Sequence, residues 1–275
     1  MTRTFLFIIG GFFFSTLVSA QSCDEINYYK SVDFSLSGLA LKSQLTSKIT
    51  QTHTRALTYK QLWNALQICD LDPSNAKQVL LLYGWPEERQ GRQSRTRNKN
   101  QSGGARNNWN REHTYAKSLG RPNLGSSGPG ADAHHIRATD VDWNAARGHL
   151  KFADGKGKSG KSGKGWYPGD EWKGDVARMM MYMYVRYQTQ CLPANVGYGS
   201  TESTPDGMID LFLKWNAEDP VSTLERQRNT YMGNAKNSYA QGNRNPFIDN
   251  PYWATRIWGG PMAENRWKSA AITKK

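Results

Sequence analysis

Cysteine is scarce in this chain: three residues in 275, at Cys23, Cys69 and Cys191. None forms a CxxC step and none lies beside a histidine, which disfavours a structural zinc knuckle. One disulfide at most can form, leaving one thiol over, and the sequence does not choose the pair. The five histidines include no HxxxH pair. A zinc hydrolase built from His113, His134, His135 and His149 is therefore disfavoured as well. Acidic residues are also in short supply, 23 against 36 Lys and Arg, for a net charge of +13. Beyond residue 20 no apolar run approaches the roughly 20 residues that a membrane helix requires. Finally, residues 86–108 have almost no aliphatic side chains and carry Arg89, Arg92, Arg95, Arg97, Lys99 and Arg106 against Glu87 and Glu88. That composition predicts an exposed basic loop.

The surplus of positive charge favours a polyanionic partner, nucleic acid first and an anionic membrane surface second. Residues 1–20 combine Arg3, an apolar run from Phe5 to Phe14 broken by Gly10 and Gly11, and Val18-Ser19-Ala20. This is the pattern of a cleaved secretory signal peptide, so residues 21–275 are expected as one soluble domain, secreted or periplasmic and not in a membrane.

Leu36, Leu41, Leu45 and Ile49 repeat at near-helical spacing and predict a helix over 35–50. Thr58 is placed to cap a second helix with Leu62, Trp63 and Leu66 inward. Residues 78–83 read as a buried strand. Trp109 to Tyr115 predicts a strand, 120–130 a Gly-, Pro- and Ser-rich loop, and 133–136 a second strand. Thr139 with Asp142 resembles a capping box that opens a helix through Leu150, placing Asn144 and Arg147 on one side of it. Residues 155–162 fit the phosphate-loop pattern GxxxxGK[ST], but no strand precedes them and no helix can follow well; 155–165 reads as a flexible basic loop. Val176, Met179, Met180, Met183 and Tyr187 mark a core helix over 170–188. Further helices are predicted at 208–215, from Pro220, and at 250–258, with a turn at 242–247.

The stretches that carry chemistry are Asn110-Arg111-Glu112-His113, Asp132-Ala133-His134-His135-Ile136-Arg137 and Asp140 to Gly148. A neutral imidazole is suited to take a proton from water near pH 7, which assigns His113 as base with a pKa near its ordinary value of about 6.5. Glu112 and Asn144 offer oxygens to a magnesium-like ion that keeps several waters. Neighbours on a strand point to opposite faces, so Glu112 and His113 must divide their roles across a phosphate.

These motifs, with Leu80-Leu81-Leu82-Tyr83, Gly174-Asp175-Val176-Ala177-Arg178 and Gly242-Asn243-Arg244-Asn245-Pro246-Phe247, resemble the endonuclease I family of secreted bacterial nucleases. The resemblance covers most of the chain after residue 20. It implies an α+β fold, mainly helical, around a ββα-metal motif at about 109–150. It further implies a non-sequence-specific endonuclease that uses Mg2+, with Mn2+ or Ca2+ able to substitute in binding, and leaves 5′-phosphate ends on double- or single-stranded DNA and often RNA. His113 would be the base and Glu112 and Asn144 the metal ligands. Some relatives carry a transition-state arginine on a longer loop. Here that short stretch holds only Arg121, and Arg137 and Arg147 are unranked substitutes. Asp132, His134 and His135 would orient the ligands, and Arg111, Arg121, Arg178 and Arg244 would contact DNA. A monomer is expected. The competing reading is a protein that coats extracellular DNA without cutting it.

Overall fold

The computed structural model describes residues 23–267, which form ten helices and three small sheets. The predicted signal peptide lies outside the described residues. No helix among those described is long and apolar enough to cross a membrane.

After the short α1 (Cys23–Tyr28), α2 (Gly38–Thr52) buries Leu41, Leu45 and Ile49, as the spacing predicts. It starts later than expected, leaving Leu36 ahead of the helix at the core edge. α3 (Gln61–Cys69) buries Leu62 and Leu66, with Trp63 half-exposed. Thr58 does cap it: its N–H donates to Gln61 Oε1 at 2.8 Å, and Gln61 N–H donates to Thr58 Oγ1 at 3.2 Å. Such reciprocal bonds satisfy donors that a helix start leaves open.

β1 (Leu71–Asp72), β2 (Asn75–Leu80) and β3 (Thr96–Asn98) form one antiparallel sheet. The strand predicted at 78–83 thus ends at Leu80, and Tyr83 turns the chain at a φ of 72°. β3 also corrects the reading of 86–108 as wholly exposed. Arg97 is buried and donates to Asp140 Oδ2 at 2.6 Å, while Arg95 pairs with Glu171. Arg89, Arg92 and Arg106 remain on the surface.

β4 (Trp109–His113) pairs antiparallel with β5 (Ile136–Asp140), and α4 (Val141–Arg147) follows at once. The order strand, loop, strand and helix is as predicted, but the second strand expected at 133–136 forms at 136–140 and shares only Ile136 with it. Asp132 to His135 form a turn before β5, not part of it. The cap of α4 is Asp140, whose carboxylate accepts Trp143 N–H at 3.0 Å, whereas the Thr139 hydroxyl is buried without a partner. Gly148, at a φ of 54°, stops the helix short of Leu150. Few other residues adopt that backbone conformation readily.

The stretch read as a flexible basic loop is a hairpin, β6 (Gly160–Ser162) with β7 (Gly165–Tyr167). Ser159 anchors it, donating to Tyr83 O at 2.7 Å and accepting from Trp143 Nε1 at 2.9 Å. The phosphate-loop letters therefore sit in a β-ribbon, without the strand-to-helix frame that pattern needs.

α5 (Lys173–Tyr187) is the central helix, buried at every residue from Gly174 to Val185. A helix enclosed on all sides needs no single apolar stripe. α6 (Pro193–Val196), α7 (Asp210–Glu218), α8 (Thr223–Gly233), α9 (Pro246–Asp249) and α10 (Tyr252–Trp258) complete the helical half. α8 opens at Thr223 through a Ser222–Glu225 capping box, three residues later than Pro220 suggests. The larger apolar cluster surrounds α5. A smaller one, with Leu62, Leu66, Trp109, Ile136 and Met232, fills the space between α3, α8 and the β4–β5 pair. Cys69 and Cys191 are both buried and unbridged.

Candidate active site

Alternation along β4 sorts its side chains. Asn110 and Glu112 face α4: Asn144 Nδ2 donates to Asn110 Oδ1 at 2.7 Å, and Arg147 Nη1 donates to Glu112 Oε1 at 3.0 Å. Arg111 and His113 face the other way, toward α3. The His113 ring stacks on Tyr59 with centroids 5.7 Å apart, and the Arg111 guanidinium lies 3.6 Å from the centre of Tyr59 and 4.2 Å from that of Trp63. The two sides meet in a cleft of about 340 Å³ lined by Arg111, Glu112, His113, Lys117, Asn123, Asn144 and His149 among others.

His113 Nε2 lies 3.0 Å from Gly130 O. A carbonyl only accepts, so Nε2 carries the hydrogen and Nδ1 keeps its lone pair. Burial pushes the ring's pKa down to about 3, helped by His135 and opposed by the Gly130 bond. His113 is thus neutral at all ordinary pH values, and its expected titration near 6.5 is moved well into acid.

Glu112 Oε1 accepts from Tyr83 Oη as well as Arg147, both at 3.0 Å. Oε2 has no hydrogen bond among the described residues. Burial pushes the carboxyl up to about 7, with Arg147 and Tyr83 pulling it back. With Asn144 Nδ2 engaged by Asn110, the Asn144 atom left over is Oδ1. One carboxylate oxygen and one amide oxygen on the same cleft are hard donors, and they fit a magnesium-sized cation that retains most of its water. Among the described residues no three of His, Cys, Asp and Glu converge to hold a metal.

Asp132 is a buried hub. Its Oδ2 accepts from Tyr182 at 2.7 Å and Tyr187 at 2.9 Å, and its Oδ1 accepts from His134 N at 2.9 Å and Gln241 Nε2 at 3.0 Å. Burial alone would raise its pKa; His134, His53, His135 and Gln241 outweigh that and hold it below the usual range. His134 Nε2 donates to Asn243 O at 3.1 Å and His135 Nε2 to Pro129 O at 2.8 Å. Gly130, next to Pro129, orients His113, so the hub fixes the turn on which the His113 ring rests.

The arginines divide differently from expectation. Arg137 is buried between Asp70 at 3.1 Å and Asp175 at 3.2 Å. Arg147 is buried too, donating to Glu112, to His113 O at 3.0 Å and to Thr114 O at 2.9 Å. Neither projects into the cleft; both brace it. Arg178 is closed off by Glu225 at 2.6 Å, and Arg244 pairs with Asp249 at 2.5 Å. Arg178 is wholly buried, which corrects its assignment to DNA contact, while Arg244 is almost buried at the edge of a surface pocket and has its guanidinium engaged by Asp249. Arg121 is exposed but is not among the cleft residues, whereas Arg111 is. Tyr83, Lys117 and His149 were not assigned to the nuclease site from the sequence, although Tyr83 ends one of the motifs and His149 entered the zinc alternative. Tyr83 closes an apolar run that reads as core, and Lys117 and His149 follow the Glu-His pair and Asn144 in sequence, which was the available signal.

A ββα unit that turns a histidine, a carboxylate and an amide oxygen into one cleft is a nuclease architecture. Residues 37–252 match the family model described as Endonuclease I, and the chain belongs to that family. It is 43% identical over 255 residues to the extracellular ribonuclease of Bacillus amyloliquefaciens, covering 89% of this chain and 82% of that protein. It is 41% identical over 251 residues to the extracellular ribonuclease of Bacillus subtilis (strain 168), covering 87% of this chain and 81% of that protein.

Proposed function

We propose that this chain is a secreted, magnesium-dependent endonuclease that hydrolyses phosphodiester bonds of both DNA and RNA, acting as a monomer. The observation that carries the reading is the open Nδ1 of His113 across one cleft from the Glu112 and Asn144 oxygens. Water attacks phosphorus and passes its proton to Nδ1 while the new O–P bond forms. The P–O3′ bond breaks with its electron pair going to O3′, which takes a proton from solvent. The products are a 3′-hydroxyl and a 5′-phosphate. A divalent cation held by Glu112 and Asn144 would supply positive charge against the leaving oxygen. Because the nucleophile is water and not a ribose hydroxyl, the chemistry is indifferent to the sugar. The extracellular ribonuclease names of the relatives support RNA as a substrate and export as the destination.

The test is degradation of plasmid DNA and of a long RNA by the purified chain. Both are expected to be cut with magnesium, spared in EDTA and cut again when magnesium is restored. Undiminished cleavage in EDTA contradicts the metal. Salt-sensitive binding without cleavage under any divalent cation supports the DNA-coating alternative. Glu112→Ala and Asn144→Ala are expected to raise the magnesium requirement and lower activity by orders of magnitude at unchanged circular dichroism, since an ion with so few protein ligands has none to spare. Near wild-type activity at limiting magnesium removes that residue from the metal site.

A further inference from the structure

As water adds to phosphorus, negative charge grows on the non-bridging oxygens, and preorganised cations aimed at that charge are worth most in a water-poor cleft. The Glu112–Asn144 side is built for the metal and the leaving oxygen. The opposite side, where His113 stands, needs a cation of its own. Arg137 and Arg147 are buried in bracing contacts, and Arg121 lies outside the cleft lining. Arg111 is held against Tyr59 and Trp63, with Nη1 bonded to Tyr59 O.

Lys117 stands apart. It is half-buried in the cleft wall, and its ammonium is 5.2 Å from the centre of the Tyr59 ring that stacks on His113. No carboxylate pairs with it among the described residues. Its backbone is fixed by a short 3-10 turn, Lys117–Leu119, in which Leu119 N bonds Ala116 O at 2.9 Å and Leu124 N bonds Lys117 O at 3.1 Å. An unpaired ammonium on a fixed turn beside the base is a point charge with three donors and no competing partner.

We propose that Lys117 is a catalytic residue, donating to a non-bridging oxygen of the scissile phosphate and stabilising the charge that develops there. This rests on the nuclease reading above. The experiment is single-turnover cleavage of a single-stranded oligonucleotide by wild type, Lys117→Gln and Lys117→Arg. It is accompanied by binding of the same oligonucleotide in EDTA and by melting temperatures. Lys117→Gln is expected to lower the cleavage rate about 10²–10³-fold, the usual loss for one such donor, while binding in EDTA weakens far less and the melting temperature holds. Lys117→Arg is expected to recover much of the rate, because it restores the charge. A Lys117→Gln rate within about threefold of wild type overturns the proposal, as does a loss seen only in binding with the rate at saturation intact. If the wild type itself cleaves nothing, the nuclease reading falls and this proposal with it. A wild type that cleaves well beside an equally active Lys117→Gln removes this proposal alone.

Discussion

At the scale of single residues, the environment of β4 separates two titrations that the bare sequence would merge. His113 is kept neutral by burial down to about pH 3, while burial lifts Glu112 to about 7. On the proposed mechanism the acidic limb of activity belongs to the carboxylate, whose proton would compete with the cation. At limiting magnesium, kcat/KM is expected to rise with pH through about 7, and raising magnesium should slide that limb toward lower pH. A limb near 6.5 that ignores magnesium assigns the titration to a histidine instead. His113→Ala is expected to cost about 10²–10⁴-fold in rate with little change in magnesium affinity, because in the proposed mechanism the ring is base and not ligand. Metal affinity lost in step with activity would reassign it.

At the scale of elements, the buried arginines act as fasteners. Arg178 on α5 meets Glu225 on α8 with both side chains almost wholly buried. Arg178→Ala strands that carboxylate, and breaking one side of a buried pair typically costs about 3–5 kcal/mol. A large drop in melting temperature is expected, with DNA affinity unchanged while the protein stays folded; weaker DNA binding by a stable variant would return Arg178 to the nucleic-acid surface. These fasteners also explain which elements were legible in the sequence. β4 and α4 announce themselves locally, by the strand-forming run from Trp109 and by a polar residue ahead of the helix, whereas β5 is expected at 133–136 and forms at 136–140, where all five residues are buried and no alternation marks it. β3 does not announce itself either, because the charge of Arg97 is balanced in the interior by Asp140, a partner that the fold brings from the far side of the Glu-His motif, with Asn108 O and Gly91 O accepting its other bonds. The β6–β7 hairpin was hidden by its Gly, Ser and Lys content. Its stability comes from Ser159, Trp143 and Trp166 packing together, which no local propensity records. The cap of α4 was misplaced by one residue because Thr139 and Asp140 are both good caps, and only the pairing of β5 turns the threonine inward. In the site, Glu112, His113 and Asn144 were legible as motif letters. The burial of Arg137 and Arg147, and the presence of Lys117 in the cleft, depend on side-chain direction and contacts across the fold.

At the scale of the whole molecule, charge and acid lability follow from the same arrangement. The chain's +13 is displayed in part by the surface lysines Lys156, Lys158, Lys161 and Lys164 of the hairpin region and by Arg89, Arg92 and Arg106. Neutralising the four lysines together is expected to flatten the salt dependence of nucleic-acid binding by roughly one unit of slope per lost phosphate contact. An unchanged slope makes them solvated surface only. The Asp132 hub joins α5, the 240s loop and the turn beneath His113, and its histidines contribute to acid stability. Burial lowers His134 and His135 to about 4 against an ordinary 6.5. Between those values the unfolded chain binds more protons at these two residues than the folded one, so their contribution to stability is complete above about 6.5 and is lost as pH drops toward 4, while the raised Glu112 carboxyl works in the opposite direction. Replacing His134 or His135 by Gln is expected to flatten the fall of the urea midpoint between about pH 6.5 and 4 relative to wild type; an identical pH dependence in both variants would contradict the buried, neutral histidines.

The most direct test of the central claim, that His113 activates water at a site indifferent to the sugar, is the chemistry of the cut ends. An RNA and a DNA oligonucleotide of the same sequence, each digested in magnesium, should both yield 5′-phosphate and 3′-hydroxyl termini by mass. Cleavage of the RNA alone, to 2′,3′-cyclic phosphate or 3′-phosphate ends, would mean that the ribose hydroxyl is the nucleophile and would contradict the account.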